Sequence, residues 1–182
     1  MIYNLKKEER RKGLHVLVGI CIVLFLMWDR TITLLLLFAL IVLSIPFYLL
    51  VKRKEVPLIS DALRYFGREE EYGKGAIYFL AGCFLSIALF ENTYSIPGIL
   101  VLSFGDAFSS LVGLRHGKRG ERKTMEGSLV FFLISLSVLL SFFSPWKAFL
   151  VSVVVTVAEY LLTPDNLFLP SLTAFLCNVL PI

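Results

Sequence analysis

The chain has 182 residues, of which 57% are hydrophobic and 18% charged, with mean hydropathy +0.80 and a formal net charge of +4. A soluble domain carries roughly 45–50% apolar residues, so this composition excludes a water-soluble globule and points to an integral membrane protein. The apolar segments occupy nearly the whole chain, which leaves no room in the loops for a separate soluble domain. A single membrane-embedded domain over residues 1–182 is therefore expected.

Apolar segments of about 17–25 residues can each cross a bilayer as a helix. In chain order the candidates are Leu14–Trp28, Ile32–Val51, Ala76–Phe90, Ile96–Leu114, Leu129–Phe143, Ala148–Leu162 and Leu167–Ile182. The first, third, fifth, sixth and seventh are short and need flanking residues to complete a span. The expected fold is all-α: a multi-pass integral membrane bundle of about seven transmembrane helices.

Met1–Trp28 has the basic start and apolar run of a signal peptide, but it lacks a small-x-small cleavage site and further spans follow. A retained first helix is expected. His15 falls one turn inside it, after Arg11 and Lys12; on local grounds a lone histidine near a helix end is more often structural than functional. Between the second and third spans, Leu58, Ile59, Ala62, Leu63 and Phe66 recur at helical spacing opposite Asp61, Arg64 and Arg68, with Pro57 at the start. That pattern predicts a short amphipathic helix on the membrane surface.

The fourth span carries the strongest signal. Asp106 sits inside an apolar run, where a carboxylate costs roughly 2.5–3.5 kcal/mol on insertion scales. If Leu114 marks the end of the span, Asp106 is roughly 12 Å deep at 1.5 Å per residue, which calls for a polar cleft. Gly105, Ser109, Gly113 and Gly117 form a small-residue stripe spaced by four, and Asp106 and Ser110 run beside it; such stripes let membrane helices approach closely.

A loop follows with Arg115, Lys118, Arg119, Arg122 and Lys123 within nine positions, and then a second carboxylate, Glu126. Cations beside carboxylates suit a phosphate and its divalent metal. The string GKRGERKT is not a P-loop, because Arg122 stands where the second glycine belongs and no strand precedes it. Gly113, Gly117 and Gly120 still allow backbone amides to approach phosphate. His116 lies in the same basic stretch and its role stays open.

Lys and Arg split sixteen to two between alternate loops, with only Arg30 and Lys147 on the minority side. The positive-inside rule then puts the N-terminus and the basic loops in the cytoplasm. Glu159 near the end of the sixth span, and Asp165 with Asn166 in the next turn, fall on the same side as Asp106 and Glu126. Ion pairs that merely hold helices together are the plain alternative. Cys21, Cys83 and Cys177 all lie in apolar segments with no metal spacing and are expected to act as small apolar side chains.

The strings GDAFSSLVGLRHGKR and KTMEGS resemble the signature of the CTP-dependent lipid-alcohol kinases: the dolichol and phytol kinases and the yeast-type diacylglycerol kinase. RRKGLH at 10–15 resembles the Arg-Lys-x-x-His of that family's first helix, and EYLLTPDNLFLP at 159–170 its late Glu…Asp-Asn-x-x-x-Pro segment. The likeness is spread over the whole chain, which corresponds to the catalytic core of the longer eukaryotic members.

The resemblance implies transfer of the γ-phosphate of CTP to the hydroxyl of an isoprenoid alcohol at the cytoplasmic face of the cell membrane, with Mg²⁺ as cofactor. It implies catalytic roles for His15, Asp106, Glu126 and Glu159, with Mg²⁺ held by Asp106 and Glu126. Nucleotide contacts are implied at Arg11, Lys12, Gly105, Ser109, Gly113, Gly117, Lys118, Arg119, Lys123, Thr124, Gly127, Asp165 and Asn166. The general base stays open between Asp106 and Glu159. The partners implied are the lipid alcohol and the bilayer, with no nucleic acid; a homodimer is left open.

A cytidylyltransferase or a diacylglycerol kinase is the enzymatic alternative. A small transporter or helix scaffold is the non-enzymatic one, but polar residues concentrate on one side and no inverted repeat is visible.

Overall fold

The computed structural model describes residues 5–53, 73–116 and 123–180. The expected surface helix around 57–66 lies outside the described residues, as do Gly117, Lys118, Arg119, Gly120 and Arg122.

Every regular element among the described residues is helical. Helix α1 runs Leu5–Trp28 and starts earlier than its apolar stretch, because the Lys, Glu and Arg residues ahead of Leu14 are good helix formers. Asp29 alone separates it from α2, Arg30–Arg53. It caps that helix by accepting from Ile32 N through Oδ1 at 2.8 Å. Helix α3 spans Lys74–Leu89 and begins after Gly73, whose φ of 85° lies in the left-handed region that glycine tolerates.

Helix α4 is one rod over Asn92–His116. It contains a π-helical turn at Val101–Gly105, immediately before Asp106. Helix α5 is Met125–Leu140; it starts four residues before the expected apolar run because Thr124 caps it, accepting from Gly127 N at 3.1 Å. Helices α6 (Pro145–Leu161) and α7 (Asp165–Val179) complete the bundle.

Three helices are long and apolar enough to cross a membrane: α1, α2 and α4. Helices α3 and α5 are apolar but shorter. Large apolar side chains stay on the outside of the bundle, among them Leu17, Leu24, Leu35 and Leu43. An aqueous surface tolerates such residues singly but not as whole helix faces, so this exterior matches lipid.

Inside, Ile87, Ile99, Leu102, Phe131, Val151 and Leu169 are fully buried. Several hydroxyls in this apolar interior donate within their own helices, as Ser135 does to Phe131 O at 2.7 Å and Ser152 to Ala148 O at 2.7 Å, while Ser95 donates across to Ser86 O at 2.8 Å. Cys83 and Cys177 are buried and Cys21 is exposed, all as free thiols.

Close crossings fix the helix positions. The stripe Gly105, Ser109, Gly113 faces α5: a Cβ on Gly105 would stand 2.8 Å from the Phe131 ring, and one on Gly127 2.9 Å from Ser109 O. On the other side α3 crosses α7 at Gly82, where a Cβ would stand 2.3 Å from Asn166 O. Arg30 donates to Ile87 O at 2.5 Å and ties the start of α2 to the end of α3.

Candidate functional site

Asp106 opens the α-helical stretch that follows the π turn, and its side chain is buried. A buried carboxylate needs compensation, and α1 supplies it. Lys12 Nζ donates to Asp106 Oδ2 at 2.5 Å, and His15 Nδ1 stands 3.4 Å from the same oxygen. Three residues apart on a helix, Lys12 and His15 share one face. Ser110 Oγ donates to Asp106 Oδ1 at 3.3 Å. The His15 ring meets Phe79 of α3 edge-on, with centroids 4.0 Å apart.

A second cluster gathers around Lys123. Its Nζ reaches Glu159 Oε1 and Asp165 Oδ2, each at 2.9 Å, and donates to the Glu159 carbonyl oxygen as well. Glu159 belongs to the last turn of α6 and Asp165 to the first of α7. One ammonium thus joins the start of α5 to both sides of the α6–α7 turn.

Both clusters line a single cavity of about 260 Å³. Its walls come from the first half of α1, the start of α3, the last turns of α4, the start of α5 and the α6–α7 turn. Because consecutive helices alternate in direction, these stretches meet at one end of the bundle. Among the described residues four cations line it (Arg11, Lys12, Lys74, Lys123) against three carboxylates (Asp106, Glu159, Asp165), a small positive excess that suits an anion.

Of the residues singled out in the sequence, Arg11, Lys12, Asp106, Ser109, Gly113, Lys123, Thr124, Gly127, Glu159, Asp165 and Asn166 line this cavity. Their elements lie far apart in the chain and converge only in the fold. His15 joins them through Asp106. Gly105 instead makes room for the Phe131 ring, a packing role. Glu126 is exposed on the first turn of α5 and is not among the lining residues, so Asp106 and Glu126 are not brought together as a pair. Arg11 pairs with Glu8, and Arg115 with Glu9.

Lys74, Gly75 and Tyr78 of α3 also line the cavity, and the sequence reading passed over them. The available signal was a cation and an aromatic residue one turn apart at the start of an apolar segment.

Among the described residues no three His, Cys, Asp or Glu side chains are grouped to hold a metal ion. A magnesium ion that arrives on a nucleotide needs only one or two carboxylates, with phosphate and water completing its shell. The donor set of Asp106, Glu159 and Asp165 on one cavity fits that requirement.

Fold and site together define an all-helical protein with helices long and apolar enough to cross a membrane and a charged cavity at one end of its bundle. It is 34% identical over 179 residues to the uncharacterized protein MJ1137 of Methanocaldococcus jannaschii, an alignment covering 94% of this chain and 93% of that one. The chain belongs to the same family as that archaeal protein. No family model matches the chain, and no solved structure matches it.

Proposed function

We propose that the protein is a CTP-dependent lipid-alcohol kinase that phosphorylates an isoprenoid alcohol. The observation that carries this reading is the pair of lysine–carboxylate clusters, Lys12 with Asp106 and Lys123 with Glu159 and Asp165, on one cavity. Without ligand Lys12 and Asp106 neutralise one another, while Lys123 is shared between two carboxylates and leaves one negative charge in excess. A triphosphate and its divalent ion offer every member a new partner, phosphate oxygens for the ammonium groups and metal for the carboxylates. The resemblance of GDAFSSLVGLRHGKR and KTMEGS to the lipid-alcohol kinases supplies the nucleotide and the acceptor class.

Mg²⁺ bound with the nucleotide would neutralise charge on the β- and γ-phosphates. Asp106 with Glu159 or Asp165 would hold it; Glu126, the second ligand that the resemblance implies, lies off the cavity lining. In the transfer the alcohol oxygen bonds to the γ-phosphorus, the bond to the β–γ bridging oxygen breaks, and the nucleoside diphosphate leaves. The alcohol proton passes to a cavity carboxylate, Asp106 or Glu159. Lys12 and Lys123 stabilise the charge that develops on the phosphoryl oxygens. Positioning supplies much of the remainder.

The same reading completes the topology as seven spans with the N-terminus in the cytoplasm. The cavity then opens on the side that carries sixteen of the eighteen Lys and Arg residues, and the lipid chain enters sideways between helices.

The test is incubation of the purified protein with Mg²⁺ and CTP or ATP, against phytol, geranylgeraniol, dolichol and diacylglycerol. A phosphorylated isoprenoid alcohol together with CDP is the expected product. Release of pyrophosphate would reassign the protein as a cytidylyltransferase, and phosphorylation of none of the four lipids would end the kinase reading.

A further inference from the structure

One wall of the cavity holds two features that phosphate chemistry leaves unused. Asn166 lines the cavity, and its Oδ1 is buried with no hydrogen-bond partner, although its backbone N–H is satisfied by Asp165 Oδ1 at 2.9 Å. A buried acceptor left unpaired is unfavourable unless a ligand completes it.

The position of this residue is set by backbone contact. Pro170 has no N–H to offer the Asn166 carbonyl one turn earlier, and Gly82 of α3 packs against that carbonyl so closely that a Cβ would stand 2.3 Å away. Tyr78 precedes Gly82 by one turn on the same face of α3. It is the one aromatic residue among the described lining residues, and it is 38% exposed. Tyr78 therefore lies one turn from the crossing with the start of α7 and lines the same cavity as the unsatisfied amide. The Lys123 cluster adjoins this amide through Asp165, whose other oxygen takes the Lys123 ammonium.

A ring face and a hydrogen-bonding amide are what a nucleobase requires: a surface to stack on and a partner for its edge. We propose that Tyr78 and Asn166 form the nucleobase subsite of this cavity, selecting a base whose pairing edge bears an exocyclic amino group, as cytosine and adenine do. The inference rests on reading the cavity as a nucleotide site. In that subsite Asn166 Oδ1 accepts from the amino group and Nδ2 donates to the adjacent ring nitrogen. With the amide oriented as in the structure, Oδ1 on the buried side, uracil and guanine present a carbonyl oxygen where Oδ1 needs a proton.

The experiment is equilibrium binding of CTP, UTP, ATP, GTP and inorganic tripolyphosphate, each with Mg²⁺, to the full-length protein in detergent. CTP should bind about tenfold tighter than UTP, and ATP about tenfold tighter than GTP, the worth of one buried hydrogen bond. Comparing CTP with ATP then identifies which amino-bearing base is taken. Asn166→Ala should bring the CTP-to-UTP ratio near one without changing tripolyphosphate affinity, which shows the site is intact. Tyr78→Ala should weaken all four nucleotides about tenfold and leave tripolyphosphate unchanged, while Tyr78→Phe should bind as the parent does.

An unaltered CTP-to-UTP ratio in Asn166→Ala, or unaltered nucleotide affinity in Tyr78→Ala, overturns the subsite. Tripolyphosphate binding with no added affinity for any nucleotide overturns it too, yet spares the phosphate clusters. Binding of neither overturns the nucleotide reading itself.

Discussion

Lys12 Nζ and Asp106 Oδ2 lie 2.5 Å apart although 94 residues separate them in the chain. The pair is buried on both sides and joins the basic first half of α1 to the apolar helix that carries Asp106. It is at once a tie between two of the long apolar helices and one half of the charged cavity.

Removing only the cation separates these two roles. Lys12→Met leaves the Asp106 charge buried without its principal partner, a change that costs roughly 3–5 kcal/mol in buried pairs. Thermal unfolding in detergent should show a clear drop for Lys12→Met and substantial recovery in Lys12→Met/Asp106→Asn, where the unpaired charge is gone. Neither variant should transfer phosphate. Identical melting of Lys12→Met and the parent protein would contradict the importance given to this pair.

Lys123 is the shared partner of two carboxylates. In Lys123→Met the side chains of Glu159 and Asp165 face one another without their cation, and charge-assisted hydrogen bonds worth about 1.5–3 kcal/mol each disappear. Steady-state kinetics should show the nucleotide KM rising roughly ten- to hundredfold while the lipid KM barely moves. An equal effect on both would mean that Lys123 holds the helices and not the phosphates.

Two glycines make a matched pair. A Cβ at Gly82 meets the Asn166 carbonyl oxygen at 2.3 Å, whereas one at Gly13 finds nothing within 4 Å. Gly82→Ala should therefore destabilise by about 1–3 kcal/mol, as overpacking does, and should weaken nucleotide binding by displacing Asn166. Gly13→Ala should stabilise by about 0.5–1 kcal/mol, since alanine is the better helix former. Chemical denaturation of the two variants side by side checks both signs.

Topology is open to direct measurement. With the basic loops inside, alkaline phosphatase fused after residue 180 should be active in cells and the same enzyme fused after Lys74 inactive. The reverse pattern would invert the assignment of the cavity to the cytoplasmic side.

Much of the helical framework was legible because each signal is local. The apolar runs anticipated the helices, and the charged residues before Leu14 extended α1 for reasons of propensity. Thr124 moved the start of α5 to Met125 through a cap that the Thr-Met-Glu-Gly string already contains. Gly105, Ser109 and Gly113 behaved as a close-packing stripe against α5, again because spacing by four puts residues on one helix face.

The membership of the site was legible only in part. Asp106, Glu159 and Asp165 announce themselves as carboxylates beside apolar runs. Which cation each one meets depends on how the helices are rotated and where they cross, and the π turn before Asp106 changes that rotation in a way no periodicity reveals. Glu126 illustrates the limit: it flanks the basic loop as Asp106 does, yet its place on α5 leaves it exposed and off the cavity lining. Tyr78 is the converse case, an unremarkable aromatic in an apolar helix until Gly82 brings α3 onto the start of α7.

The sequence by itself therefore determined an all-helical protein of apolar helices with its basic residues gathered in alternate connecting segments, because hydropathy, helix propensity and charge bias are properties of contiguous stretches. Only the tertiary structure decided that Lys12 holds Asp106, that Lys123 is shared by Glu159 and Asp165, and that Tyr78 and Asn166 complete the same cavity. Those relationships depend on helix rotation and crossing, which are settled by where glycine and serine let backbones touch.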